Sequence, residues 1–576
     1  MKHQNKWISL AAALAVALGS AAAPALAVAL GSAAAPALAE EIDVTALYKA
    51  KDTEAGWNAA EAESIDLNAL ERGSVLTISG KGDYVLSGTL EGQIVIEAPE
   101  EEKVRLILNG VQITSPEGPA IYEKQADKLI VTLAEGTENV LTDGTAVTDE
   151  DDTIGAALYA EDDLSVNGGG SLILTGTQKH GLQSKADLII AGGTISITSV
   201  KDGIRGRNSV LVLDGEISVK SGGDGITATR TDAEGKGWIV LAGGNVQIST
   251  GEGAGQARAS ANSKGGFGGR GRRDDWGIRD SQSNVSGTED SGTSQKAVSA
   301  ATDLTVLGGS YTFDCADDGL HGVNVTVSGG TFEIRSGDDA MHADREMKVT
   351  AGTVNVLQCY EGLEGENVTV SGGDIAIAAS DDGINAAGGS DGSGFGGWGR
   401  GGYSASGSTG TLTISGGQVS VTAGGDGLDS NGSILISGGV TGVWAATTTG
   451  EGAIDFNGTG TVSGGTLMVA STGGVMRDTA GLNGQTMMAV SVSGQGGETV
   501  TLSDSNGTVL GSFTPGNSFD TLLLSAPQLA EGDSLTVSGG SRVLYSGQMT
   551  GGSTAAAGGD FGGGFGGGRG GHGRSR

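Results

Sequence analysis

The residues able to do chemistry in this chain are acids that return at a fixed interval. Asp202, Asp224, Asp318, Asp339, Glu361, Asp382 and Asp426 each stand before a small residue and then an apolar one, as in Asp202-Gly203-Ile204 and Asp339-Ala340-Met341. His180 and Lys296 hold the same place in their own repeats, and a further acid precedes it at Asp317, Asp338 and Asp381. Beyond each small residue lies a second polar position: Gln183, Arg205, Thr227, Ser299, His321, His342, Glu364, Asn385, Asp429 and Asp455. Carboxylates stacked at the strand spacing of about 4.8 Å repel one another unless a cation lies between them. Calcium is the expected cation, because it takes oxygen ligands from carboxylates and from the carbonyls of open turns. The expected ligands are Asp202, Asp224, Asp317, Asp318, Asp338, Asp339, Glu361, Glu364, Asp381, Asp382, Asp426 and Asp429. Turn conformation alone also favours Asp-Gly, and doubling of the acid at three corners is what tips the reading toward metal. His321 and His342 raise zinc as an alternative, against which stand their carboxylate neighbours and the lack of a cysteine ligand.

Such columns require elements that repeat with the same period. The small residues Gly181, Gly203 and Gly225 are 22 apart, and Ala297, Gly319, Ala340, Gly362 and Gly383 follow at steps of 22, 21, 22 and 21. Glycine pairs form another column at Gly192-Gly193, Gly243-Gly244, Gly308-Gly309, Gly329-Gly330, Gly372-Gly373, Gly416-Gly417, Gly438-Gly439 and Gly464-Gly465, where a tight corner needs positive φ. Between corners apolar and polar residues alternate, as in Ile195-Ser196-Ile197, which is the period of a strand with one face inward. The expected fold is all-β: a right-handed single-stranded parallel β-helix with a small C-terminal β cap, its hand following the rule for parallel crossovers. Cys315 and Cys359 fall two coils apart, roughly 10 Å, which is beyond disulfide reach.

The expected organisation is a signal peptide over 1–39, an N-terminal segment over 40–74 and the β-helix over 75–471, with Gly-rich insertions near 255–296 and 388–410. A C-terminal cap over 472–550 and a disordered Gly/Arg-rich tail over 551–576 complete it. Both insertions fall at or after the small-residue turn, so they are expected to leave from one corner, either as tolerated loop growth or as a lid. Lys2 and Lys6 followed by an Ala/Leu/Val run read as a secretory signal, cleaved after Ala27 or Ala39, so the protein is expected to be extracellular. The formal charge is −34, and removing two lysines with the signal gives −34 − 2 = −36. So negative a chain repels phosphate backbones, and nucleic acid is not an expected partner. No later apolar run is long enough to insert in a membrane, and a monomer is expected.

GPAIYEKQADKLIVTLAEGTENVLTDG, from Gly118 to Gly144, and VKDGIRGRNSVLVLDGEISVKSGGDGI, from Val200 to Ile226, resemble the bacterial carbohydrate-binding domain-containing parallel β-helix family of cellulolytic clostridia. The resemblance implies a non-catalytic, calcium-containing, pectate-lyase-like fold that binds plant polysaccharide, including polygalacturonate. A polyanionic sugar suits an acidic protein when cations bridge the two. Arg205, Arg207, His321, His342 and Asn385 are the expected polysaccharide contacts, with arginine offering bidentate bonds to uronates. Two enzyme readings compete. Gly337-Asp338-Asp339-Ala340 is similar to the paired-Asp stretch of pectin hydrolases, where two carboxylates act as acid and base, but no Gly-His-Gly or Arg-x-Lys stretch accompanies it. A lyase would need a base such as Arg205. A surface scaffold with no ligand is the third possibility.

Overall fold

Strands that alternate apolar and polar residues bury one side and wet the other. In a computed structural model of the chain, Ile195 lies beside Ile217 and Ile197 beside Val219, within the parallel strands Asp187–Ser199 and Ser209–Ser221. All four side chains are buried, while Ser196 and Ser218 between them face out. The structure describes residues 42–145, 147–148, 153–255, 294–387, 410–445, 452–472 and 481–550. The proposed signal, both Gly-rich insertions and the tail lie outside these residues, apart from the insertions' outermost positions.

Among the described residues, 37 strands belong to one all-β sheet that is parallel almost throughout and closes around a continuous apolar core. Each turn of chain contributes to three rows. The first row is short, as in Ile204–Gly206, Ile226–Ala228 and Val298–Ala300. The second includes Trp238–Leu241 and Asp303–Val306, and the third Asn245–Thr250, Ser310–Cys315 and Thr331–Ser336. Partners in each row are the residues one repeat apart: Arg205 pairs with Thr227, Leu304 with Val325, Phe313 with Ile334.

The small-residue column has a packing cause. A Cβ on Gly203 would lie 2.2 Å from Val219 Cγ1, and one on Gly383 would lie 2.1 Å from Val421 Cγ1. The inward side chain of the third row occupies the space that a larger corner residue would need. The glycine pairs have a conformational cause: Gly193, Gly244, Gly309, Gly330, Gly373, Gly417 and Gly439 have φ between 70° and 99°. Cys315 and Cys359 are both free and buried.

Parallel pairing begins earlier than residue 75, since Glu63–Asp66 pairs with Gly82–Glu91. Ahead of it, the helical turn Ala50–Thr53 docks on the second row through polar groups. Lys128 Nζ lies 2.6 Å from Asp52 Oδ1, Ser165 Oγ donates to the same oxygen at 2.6 Å, and Arg105 Nη1 donates to Gly56 O at 3.0 Å. At the other end the strands turn antiparallel. Phe519–Ser525 pairs with both Thr466–Ser471 and Met487–Gly494, covering the edge of the third row. A second core, with Trp444, Met468, Phe513, Phe519 and Leu522, lies beneath it.

The two insertions do not leave from one corner. The first interrupts the chain between the third-row strand Asn245–Thr250 and the first-row strand Val298–Ala300. The second follows the first-row strand Ile384–Ala386 and precedes Thr411–Ala423. They therefore flank the first row on its two sides, because that row is only a few residues long and the glycine turn lies next to both corners. Register survives each: Ile226 still pairs with Val298, and Ile384 with Leu428.

Candidate functional site

The second polar position forms one ladder along the first row. Gln183 pairs with Arg205, then Thr227, Ser299, His321, His342, Glu364, Asn385, Asp429 and Asp455 follow in unbroken register. The ladder also extends backward to Tyr122 and Tyr159, whose rings meet edge to face at 5.4 Å. Both tyrosines stand at the same offset from Ala120 and Ala157, so extending the repeat toward the N-terminus finds them.

The acidic column beside this ladder has a specific local job. At five levels one oxygen of the aspartate accepts the backbone N–H of the same column one coil further on. Asp202 Oδ1 takes Asp224 N at 3.1 Å, Asp224 Oδ1 takes Lys296 N at 2.9 Å, and Asp318 Oδ1 takes Asp339 N at 3.1 Å. Asp382 does the same for Asp426 at 2.6 Å, and Asp426 for Gly452. At several levels the other oxygen, or a neighbouring acid, faces the polar ladder. Asp202 Oδ2 accepts from Arg205 Nη1 at 2.6 Å, Asp339 Oδ2 lies 3.0 Å from His342 Nδ1, and Glu361 Oε2 accepts from Asn385 Nδ2 at 2.9 Å. At these levels the column thus fastens one corner to the next or clamps the side chain beside it.

The break in the acidic column at Lys296 supplies an internal cation. Lys296 is fully buried, and its Nζ bonds Asp318 Oδ2 and lies 3.3 Å from Asp317 Oδ2. His342 has no exposed surface, and its Nδ1 also lies 2.6 Å from Glu364 Oε2. Burial pushes Asp224 up to about 7, with the Asp202 carboxylate adding to the shift. Burial likewise raises Asp339 and Glu361 well above the usual carboxylate range, against the bonds from His342 and Asn385. His180, buried at the foot of the column, is pulled down to about 4 by desolvation.

Two acidic groups bring three carboxylates together with oxygens within 4.8 Å of one another: Asp317, Asp318 and Asp338, and Asp426, Asp429 and Asp455. Their donor chemistry fits calcium, which prefers carboxylate oxygen. In the first group the Lys296 ammonium already lies among the oxygens.

With this geometry in view, a family model described as carbohydrate-binding domain-containing protein matches residues 72–340 and 322–394, more than half of the chain. The chain belongs to the carbohydrate-binding domain-containing family. A relative of that description from Acetivibrio thermocellus is 43% identical over 192 residues, 32% of this chain and 66% of the relative, so slightly less than two thirds of the relative's length is spanned. A solved structure described as a polysaccharide lyase-like protein from C. thermocellum, as a gadolinium derivative, is 24% identical with a TM-score of 0.34. It covers 47% of this chain and 92% of its own.

The family match takes in the columns from Asp202 to Asn385, while Asp426, Asp429 and Asp455 lie beyond it. Of the expected polysaccharide contacts, Arg205 and His321 are half-buried on the ladder and Arg207 is about half exposed just past it, 4.0 Å from Asp232. His342 and Asn385 do not offer a polymer a surface: His342 is 0% exposed and Asn385 7%. Their outward strand position misleads, since neighbouring acids and rings close over them. Asp338, Glu364, Asp381 and Asp382 are partly exposed along the same face.

Proposed function

We propose that this family member is a secreted, non-catalytic carbohydrate-binding protein, a right-handed single-stranded parallel β-helix whose first-row face takes an acidic, polygalacturonate-like polysaccharide with help from calcium. The observation that carries the non-catalytic reading is the tethering of the acids. At five levels a carboxylate oxygen holds the next corner's N–H, so these aspartates belong to the scaffold and recur without singling out one acid–base pair. Arg205 donates to Asp202 at 2.6 Å, so its guanidinium is engaged within the corner and not presented as a lyase base. Arg205, Arg207 and His321 are the polymer-facing groups, backed by His342 and Asn385. Calcium is placed first at Asp426, Asp429 and Asp455, because an ammonium already occupies the Asp317–Asp318–Asp338 group; the remaining candidates Asp202, Asp224, Asp339, Glu361, Glu364, Asp381 and Asp382 line the same face. Bound there, calcium would bridge protein carboxylates to uronate carboxylates.

The test is to incubate the protein with polygalacturonate and calcium. Retention on the polymer, with no new reducing ends and no unsaturated product, is the expected result. New reducing ends lost in Asp339→Ala would establish the hydrolase instead, and unsaturated product lost in Arg205→Ala the lyase. Absence of both retention and turnover, across acidic and neutral glycans, would leave a scaffold.

A further inference from the structure

His342 stands out among the buried groups because its two ring nitrogens have different surroundings. Nδ1 lies against Asp339 Oδ2 at 3.0 Å and Glu364 Oε2 at 2.6 Å. Nε2 is fully buried and has no hydrogen-bond partner among the described residues, with Asp344 Oδ1 3.8 Å away. A buried polar atom left unpaired in this way costs free energy and calls for an explanation.

With Nδ1 donating to a carboxylate, a metal ion at Nε2 would take the place of that nitrogen's proton. A histidine oriented by a carboxylate on one nitrogen and aimed inward with the other is the arrangement that metal-binding histidines adopt. His321, one coil below, stacks on the His342 ring with centroids 5.1 Å apart and planes at 22°. Asp344 approaches from the following residues, and ligand atoms of His321, His342 and Asp344 all lie within 4.8 Å of one another. An ion with bonds of about 2.0–2.1 Å needs them somewhat closer. His342 is fully buried, so closing the remaining gap falls to His321 and Asp344, which are only half-buried.

We infer that His321, His342 and Asp344 form a site for a divalent first-row transition ion of the zinc class, with Asp339 and Glu364 orienting His342 from behind. Two imidazoles and one carboxylate are a mixed nitrogen and oxygen set, which suits zinc, cobalt or iron and not calcium. Three protein ligands leave the remaining coordination position open on the half-exposed side, to water or to a carboxylate. The site lies three to five coils from Asp426, Asp429 and Asp455 and does not depend on the calcium or polysaccharide reading, since the ion binds without polymer.

Asp344 owes its position to an irregularity. Gly322 pairs with Ala343 but Asn324 pairs with Glu346, so the later strand carries one residue more. That bulge turns Asp344 back toward the ring pair.

The experiment uses chelator-stripped whole protein titrated with Zn²⁺ against a chromophoric chelator, and with Co²⁺ followed by its visible d–d absorption, both in excess calcium. One equivalent of Zn²⁺ is expected, and Co²⁺ bands of a nitrogen-containing site of low coordination number. His321→Ala and Asp344→Asn, at half-buried positions that leave the core intact, should each weaken binding by about tenfold or more. No uptake in folded protein, displacement of zinc by calcium at comparable concentration, or binding unchanged in both variants would overturn the site.

Discussion

Lys296 changes the meaning of the acidic column more than any other residue. In the sequence it is visible only as a break among aspartates; that its chain spans one coil and delivers an ammonium to Asp317 and Asp318 depends on side-chain length and direction, which spacing does not encode. Asp318 is fully buried, so Lys296→Met strands a carboxylate without its cation. A loss of about 3–5 kcal/mol is expected, read as a fall in unfolding midpoint, with Lys296→Met/Asp318→Asn recovering most of it. Recovery absent in the double variant would mean that Lys296 acts through packing alone. The same limit applies to His342. Its place in the polar ladder is legible, because the ladder follows from register, but its complete burial is not. Asp344 left a faint signal: His342-Ala343-Asp344-Arg345-Glu346 is one residue longer than His321-Gly322-Val323-Asn324.

At the level of strands and corners, the repeat carries nearly everything. Period-2 alternation sets which side chains enter the core, and the glycine pairs mark the positive-φ corner because no other residue adopts it cheaply. The small-residue corner is a packing requirement, so its tolerance differs from that of an open glycine. Gly203→Ala puts a methyl 2.2 Å from Val219 Cγ1 and 2.7 Å from Gly225 O, and should cost about 1–3 kcal/mol. Gly56→Ala, where nothing among the described residues lies within 4 Å, should leave the thermal midpoint nearly unchanged. Equal midpoints for the two variants would contradict this account of the corner. The sequence misplaces the insertions for a related reason. With a first row as short as Ile384–Ala386, two different corners lie within a few residues of one glycine, and spacing alone does not separate them. The docking of Ala50–Thr53 is also invisible in the repeat, since it rests on Arg105, Lys128 and Ser165 meeting a segment far off in sequence.

Across the whole molecule, charge is the dominant property, with a formal −34 and several acids whose ionisation the fold resists. Asp224 and Glu123, each pushed up to about 7 mainly by burial, bind protons more tightly folded than unfolded. Their contribution is therefore fully present below the unfolded carboxylate range near 4 and is lost as pH rises toward 7. Asp339 and Glu361 act in the same direction. His180, pulled down to about 4, acts oppositely, costing stability as pH falls from 6.5 to about 4. Without divalent cations the melting midpoint should thus fall as pH rises from about 4 to 7, and saturating calcium, which binds ionised carboxylates in the folded state, should flatten that fall. An identical pH slope with calcium and with chelator would remove the case for calcium at these turns. The most direct test of the central claim is polymer retention measured on three proteins: the unaltered chain, Asp429→Asn/Asp455→Asn, and Arg205→Ala/Arg207→Ala. Binding to polygalacturonate that needs calcium, releases no product and weakens in both variants is the predicted result; binding indifferent to chelator and to both variants would contradict it.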